Sequence, residues 1–302
     1  MRILALSGSA IFALALAACG GPGEPAPEDT APTGTETPAA SGPEAGSLDW
    51  AVAGTWRGED AARDSARHPA ETLAFFGIES DDTVIELWPG GGWYSRILAP
   101  YLAAGGGELI AAGFDADAYE DEERRARIEG NMQAYMDGFA SDPGLFGTVT
   151  RSALSGISGP LAEPESADVV LTFRNIHNWM SGGYLDKVFS DAYAALKPGG
   201  VLGVVEHRLP SVDEQDPVAS SGYVHEDFVI AAAERAGFVL EESSEINANP
   251  ADTADHPFGV WTLPPVSRTT DRDGNAPEGF EPTTYLEIGE SDRMTLKFRK
   301  PE

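Results

Sequence analysis

One junction constrains this chain more than any other: Thr83-Val84-Ile85-Glu86-Leu87-Trp88, then Pro89-Gly90-Gly91-Gly92, then Trp93-Tyr94. The first six residues form an apolar, partly β-branched run that reads as a buried strand. A proline and three glycines cannot prolong it, and a helical pattern resumes from Tyr94 to Tyr101. A buried strand that turns through glycine into a helix is half of a β-α-β unit. Such units assemble by right-handed crossovers into parallel sheets.

The rest of the chain repeats that alternation. Glu108–Ala112 reads as a second strand, and the charged stretch 115–139 as an amphipathic helix with Glu and Arg spaced to pair along one face. A weak strand over Thr148–Ser152 precedes a strong one over Asp168–Phe173. A helix over Ser181–Leu196 stops at Lys197-Pro198-Gly199-Gly200 before a buried strand at Val201–Glu206. Glu226–Ala236 is helical with Gly237 as its stop, and Phe238–Leu240 opens another strand. The final strand, 293–298, alternates Met294, Leu296 and Phe298 with polar neighbours, as a half-buried strand would. Upstream, residues 59–78 read as helices interrupted at Pro69, with Leu73, Phe75, Phe76 and Ile78 inward. The expected fold is α/β: a doubly wound, mostly parallel seven-stranded sheet of Rossmann type, with helices on both faces and a late antiparallel strand. Residues 247–289, rich in Pro, Asp and Thr, read as a long insert between the last two strands.

The N-terminal region has a different character. Met1 and Arg2 give a basic start, and Ile3 to Ala18 is nearly all apolar or small, too short to span a membrane and laid out as an export signal. Leu16-Ala17-Ala18-Cys19 resembles a bacterial lipobox, which implies lipid attachment at Cys19, the only cysteine in the chain. Gly20 after it implies, by resemblance to lipoprotein sorting rules, outer-membrane retention facing the periplasm. Residues 20–46 are Gly, Pro, Glu, Thr and Ala with no aromatic residue, a composition that cannot bury a core and reads as a disordered tether. The expected division is therefore a signal over 1–19, a tether over 20–46 and one α/β domain over 47–302. Asp and Glu number 49 against 20 Lys and Arg, a net charge of −29 that argues against a nucleic-acid partner.

Glu86, Pro89, Gly90 and Gly92, in register with the architecture, resemble the first motif of the class I S-adenosylmethionine-dependent methyltransferases, with Trp88 replacing its first glycine. Ala194–Arg208 is similar to the family's helix–turn–strand before its fifth strand. Five short stretches resemble a group of bacterial methyltransferases, many with export signals: 86–94, 171–179, 244–250, 259–265 and 290–298. The resemblance implies S-adenosyl-L-methionine as cofactor and an unidentified small-molecule or envelope component as methyl acceptor. Read from the residues alone, glycines between strand and helix let backbone N–H groups face a ligand, and Glu86 can accept hydrogen bonds from an amine or ribose. A nicotinamide site is disfavoured, because its glycine spacing differs after Gly90. Asp115 and Asp117 follow the second strand, where an acid would hold ribose hydroxyls. Asp115 is the preferred one, and either could instead cap the charged helix.

Ligands of open α/β sheets bind at the carboxyl ends of the strands. Arg174, Asn175, His177 and Asn178 follow the fourth strand there, and Glu206 and His207 end the fifth. Asn175 is assigned to the cofactor with Gly91. The others are assigned to the acceptor and its chemistry: Arg174 to an anionic group, and His177, or Glu206 with His207, to a proton. Trp88, Trp93, Tyr94 and Trp179 could wall a sulfonium, although core packing is the more usual role for most of them. The histidines show no zinc spacing, and no metal is expected. Two further readings stay open: an envelope lipoprotein that uses this fold only to bind, and a nucleotide-dependent enzyme of another class.

Overall fold

The computed structural model describes residues 42–302. The export signal, Cys19 and most of the expected tether lie outside the described residues. In chain order the helices and strands are α1 (Leu48–Val52), α2 (Asp64–Arg67), α3 (Pro69–Phe76), β1 (Thr83–Leu87), α4 (Ser95–Gly105), β2 (Glu108–Phe114) and α5 (Glu122–Ala140). Then come α6 (Pro143–Phe146), β3 (Val149–Leu154), β4 (Ala167–Phe173), α7 (Ile176–Gly182), α8 (Leu185–Ala195), β5 (Leu196–His207) and α9 (Glu226–Arg235). β6 (Val239–Ser244), β7 (Pro257–Val260), α10 (Pro282–Ile288) and β8 (Arg293–Arg299) complete the chain.

Seven strands form one sheet in the order β3-β2-β1-β4-β5-β8-β6. Every neighbouring pair from β3 to β5 is parallel, and β8 runs antiparallel to both β5 and β6. The chain therefore builds outward from β1 in one direction, then returns to add β4 on the other side. That reversal between β1 and β4 opens a crevice at their carboxyl ends.

Alternation along the strands splits the core into two layers. Ile85 and Leu87 of β1 face Trp179 of α7, Phe189 of α8 and Val229 of α9. Val84 faces the other way, against Leu73 and Phe76 of α3, Ile97 and Leu98 of α4 and Phe139 of α5. Helices thus cover both faces, and the doubly wound architecture expected from the apolar runs is the one present.

Four local expectations change. The helix expected over Ser181–Leu196 is broken, because Gly183 takes a left-handed conformation (φ 73°) that ends α7 and lets α8 begin at Leu185. The stretch after β4 is not a loop beyond Asn175: it turns helical at Ile176, which places His177 and Asn178 on α7. β8 is not half-buried, since Arg293 and Thr295 are buried along with Met294, Leu296 and Phe298. Met294, Leu296 and Phe298 pack in the layer with α8 and α9. On the other face Asn247 bridges Thr295 to Thr72 of α3, and Arg293 bonds the Ala66 carbonyl, so both faces are covered. Pro69 opens α3 rather than interrupting a helix, after a left-handed His68.

Candidate active site

The carboxyl end of β1 is held from three directions. Glu86 is buried, and Ser95, the first residue of α4, donates to its Oε2 at 2.5 Å. Burial pushes the Glu86 carboxyl up to about 7, against the opposing pull of the Ser95 hydroxyl and the Arg96 charge. Trp88 donates its backbone N–H to Ala112 of β2 (2.8 Å). Asn175, just beyond β4, donates from Nδ2 to the Leu87 carbonyl at 3.1 Å and lies 3.4 Å from that of Trp88. These bonds force Trp88 into a left-handed conformation (φ 47°), a state that costs an ordinary side chain of order 1 kcal/mol.

Beyond Trp88 the chain passes over the crevice. Gly90 is left-handed (φ 60°), and Gly90 and Gly91 both stand in open space, with nothing within 4 Å of where a Cβ would be. Gly92 is left-handed too (φ 81°), but it faces Tyr135, which a Cβ would meet at 3.0 Å. The first two glycines leave a floor bare for a ligand; the third lets the loop close onto α5.

Two cavities share that floor. One, of about 290 Å³, is lined by Glu86, Pro89, Gly90, Gly91, Arg174 and Asn175, together with Arg63, Arg67, Trp93 and Tyr94. The other, of about 790 Å³, is lined by Gly90, Gly91, Arg96, Phe114, Tyr135 and Phe139. The larger falls in the size range of cofactor and substrate pockets. The N-terminal segment closes the first cavity: Trp93 donates from Nε1 to the Asp60 carbonyl (2.9 Å), and Arg96 pairs with the Asp60 carboxylate at 2.8 Å.

Trp88 also lines the first cavity, and its ring reaches across the end of β2. Its ring stacks on Phe114 (centroids 4.2 Å apart) and meets Trp179 and Tyr184 edge-on. Its Nε1 donates to the carbonyl of Leu154, the last residue of β3, at 3.0 Å. Asp115 follows Phe114 directly. Its carboxylate accepts from the Ser155 hydroxyl (2.8 Å) and from the Asp117 backbone N–H (3.0 Å). Asp115 therefore caps the short turn 116–118 and stands beside the aromatic stack rather than in the 290 Å³ cavity. Asp117 is exposed and pairs with Arg125.

The residues after β4 and β5 divide. Arg174 and Asn175 line the cavity; His177, Asn178, Glu206 and His207 do not. Glu206 is fully buried: one carboxylate oxygen accepts the Ile176 N–H (2.6 Å), the other the His207 N–H (2.8 Å) and the His177 ring at Nδ1 (3.0 Å). Asn178 meets the opposite ring nitrogen, Nε2, at 3.0 Å. His207 contacts the Ser291 hydroxyl through Nδ1 at 2.6 Å, and its ring centroid lies 5.4 Å from that of His177. Burial, then the neighbouring His177 and Arg174 charges, hold His207 well below the usual imidazole range, so it stays neutral. Ligand atoms of His177, Glu206 and His207 lie within 4.8 Å of one another, a spacing open to a cation. The carboxylate oxygens are already engaged, however, and the arrangement is that of an acid orienting a histidine.

No family model matches the sequence and no curated protein matches it. Among solved structures, the chain is similar to a SAM dependent methyltransferase from Aquifex aeolicus, at 18% identity over 63% of this chain and 89% of that one, with a TM-score of 0.46. It is similar to a TehB-like SAM-dependent methyltransferase from Corynebacterium glutamicum, at 15% identity over 81% and 94% of the two chains (TM-score 0.44). It is also similar to an S-adenosylmethionine dependent methyltransferase from Mesorhizobium loti, at 15% identity over 76% and 96% (TM-score 0.42).

The sequence reading missed a whole wall of the cavity. Arg63 and Arg67 come from the segment before α3, and Glu290, which accepts from both of them and from Arg293, lies just before β8. One signal was present: in a chain with 20 Lys and Arg against 49 Asp and Glu, Arg57, Arg63 and Arg67 fall within a single stretch of eleven residues.

Proposed function

We propose that this protein transfers a methyl group from S-adenosyl-L-methionine to a small-molecule or envelope acceptor. One observation carries the reading: Gly90 and Gly91 lie bare over a cavity at the reversal between β1 and β4, with the buried Glu86 carboxyl at its base. The residues suit an adenosyl cofactor. Glu86 would accept from its ammonium or a hydroxyl group, Asp115 has lone pairs left for ribose hydroxyls, and the Phe114 ring, 41% exposed and backed by Trp88, offers an aromatic face. When bound, the cofactor supplies an electrophilic methyl carbon, which leaves sulfur with the C–S electron pair remaining on sulfur.

The chain's own task is to orient, exclude water and handle one proton. Tyr94 stacks on Phe173 (centroids 3.5 Å apart), a rigid aromatic wall across the crevice. His177 is oriented as a base would be, with Glu206 at Nδ1 placed to stabilise an imidazolium. Asn178 occupies Nε2, however, and the ring stands outside the 290 Å³ cavity, so taking a proton requires Asn178 to release that nitrogen. Asn175 positions the loop through the β1 carbonyls.

Calorimetric titration of the full-length protein with S-adenosylmethionine tests this. Binding should vanish in Glu86→Ala and in Gly90→Val, whose Cβ branches would enter the cavity from a left-handed backbone. No heat at millimolar ligand overturns the proposal. We further propose that Cys19 carries the lipid that anchors the chain in the envelope. Radiolabelled palmitate incorporation, absent in Cys19→Ala, checks this; label retained in that variant refutes it.

A further inference from the structure

Four guanidinium groups converge on one carboxylate. Glu290 is reached by Nε of Arg63 (3.1 Å), Nε of Arg67 (2.9 Å), Nη1 of Arg293 (3.1 Å) and, at a stretched 3.9 Å, Nη1 of Arg174. Arg293 satisfies its remaining donors on the backbone carbonyls of Ser291 and Ala66. The other three do not. Nη2 of Arg63 and Nη2 of Arg67 are buried without a partner, and Arg67 itself is only 1% exposed. Among the described residues, Arg174 has no ion pair besides the stretched one.

Those three arginines line the 290 Å³ cavity. Its other acids offer them nothing: Asp60 pairs with Arg96, and Glu86 is bonded to Ser95 and held near 7. Burial, followed by the Arg67 charge, lowers Arg174 to about 9 despite the opposing pull of Glu290, a sign that positive charge is in excess there. A protein of net charge −29 has thus left a cationic cluster undercompensated on the wall of a cavity, with two of its donors buried and unpartnered beside that cavity. Buried guanidinium groups in that state lack an anion.

We propose that this wall is an anion subsite, and that the methyl acceptor carries the carboxylate or phosphate group that completes it. The assignment to the acceptor rests on the methyl-transfer reading. One carboxylate from the cofactor would still leave the cluster net positive, because four cations face Glu290 alone. Arg63 and Arg67, on the segment before α3, and Arg174, after β4, would grip the group from two sides, as planar guanidinium forks grip oxyanions.

Inorganic phosphate is the probe. Titrated calorimetrically into the full-length protein, it should bind both alone and with S-adenosylhomocysteine saturating. Arg174→Gln, whose fold is checked by its melting curve, should raise the phosphate Kd at least tenfold, and Arg63→Gln at a more exposed position should raise it as well. Glu290→Gln, where it folds, should lower that Kd, because it adds net positive charge. Three results overturn the proposal: no phosphate binding, equal binding by both arginine variants, or one-for-one expulsion of phosphate by S-adenosylhomocysteine, which would assign the wall to the cofactor's carboxylate. Phosphate binding that depends on Arg174 in a protein that ignores S-adenosylhomocysteine would keep the subsite and remove the methyl-transfer reading.

Discussion

Trp88 and Arg174 are near-equivalents that meet opposite fates. Each follows or ends the exit of a central parallel strand, β1 or β4, and each is a bulky residue held left-handed (φ 47° and 62°). Each fastens its backbone N–H to the next strand over, Trp88 to Ala112 and Arg174 to Val205. Trp88 then completes itself: its ring is stacked and its Nε1 donates to Leu154. Arg174 remains incomplete, with one stretched ion pair and other cations for neighbours. The same strained backbone therefore serves two purposes. Where the side chain's needs are met inside the protein, the strain supports a wall; where they are unmet, it supports a site.

The largest test of that contrast is Glu290→Ala. It leaves four guanidinium groups with no carboxylate and should destabilise the fold by about 3–5 kcal/mol in urea unfolding. Added phosphate should recover part of the loss. Trp88→Ala should cost about 2–3 kcal/mol through lost packing, and phosphate should recover none of it. Equal rescue of both variants would erase the distinction between the two flanks.

Glu86 sharpens the comparison through pH. Burial pushes its carboxyl up to about 7 in the folded state, from an ordinary value of 4.5, so the folded state holds the proton more tightly. Its contribution to stability is full below about pH 4.5 and is lost as pH rises through about 7, with a slope of at most about 1.4 kcal/mol per unit. Glu86→Gln should flatten that slope in melts run between pH 5 and pH 8. If ligands engage the ionised acid, S-adenosylhomocysteine affinity in the native protein should rise over the same window. The smallest effect belongs to Gly91→Ala. Gly91 needs no positive φ and an added methyl meets nothing, so stability should change by less than about 1 kcal/mol while ligand affinity falls.

Much of this was legible in the chain because it is local. The apolar run at 83–88, the glycines after it and the alternation of strands with helices specify β1, its turn and the parallel half of the sheet. Asn175 could be placed at the crevice, but its bond to the Leu87 carbonyl depends on two strands meeting in space. The arginine wall was less accessible still. Arg67 and Glu290 lie 223 residues apart, and no periodicity records a pair at that distance. β8 misled for a related reason: its alternation suggests one covered face, whereas Ala66, Thr72 and Asn247, all distant in sequence, cover the face that carries Arg293 and Thr295. The break between α7 and α8 turns on a single left-handed Gly183 within an otherwise helical pattern.

A crystal structure of the protein grown with S-adenosylhomocysteine bears most directly on the central claim. The account predicts ligand density lying over Gly90 and Gly91, with its polar groups reaching Glu86 and Asp115 and the arginine wall still open beyond it. Density elsewhere in the molecule, or a ligand across the loop that leaves Glu86 untouched, would contradict it.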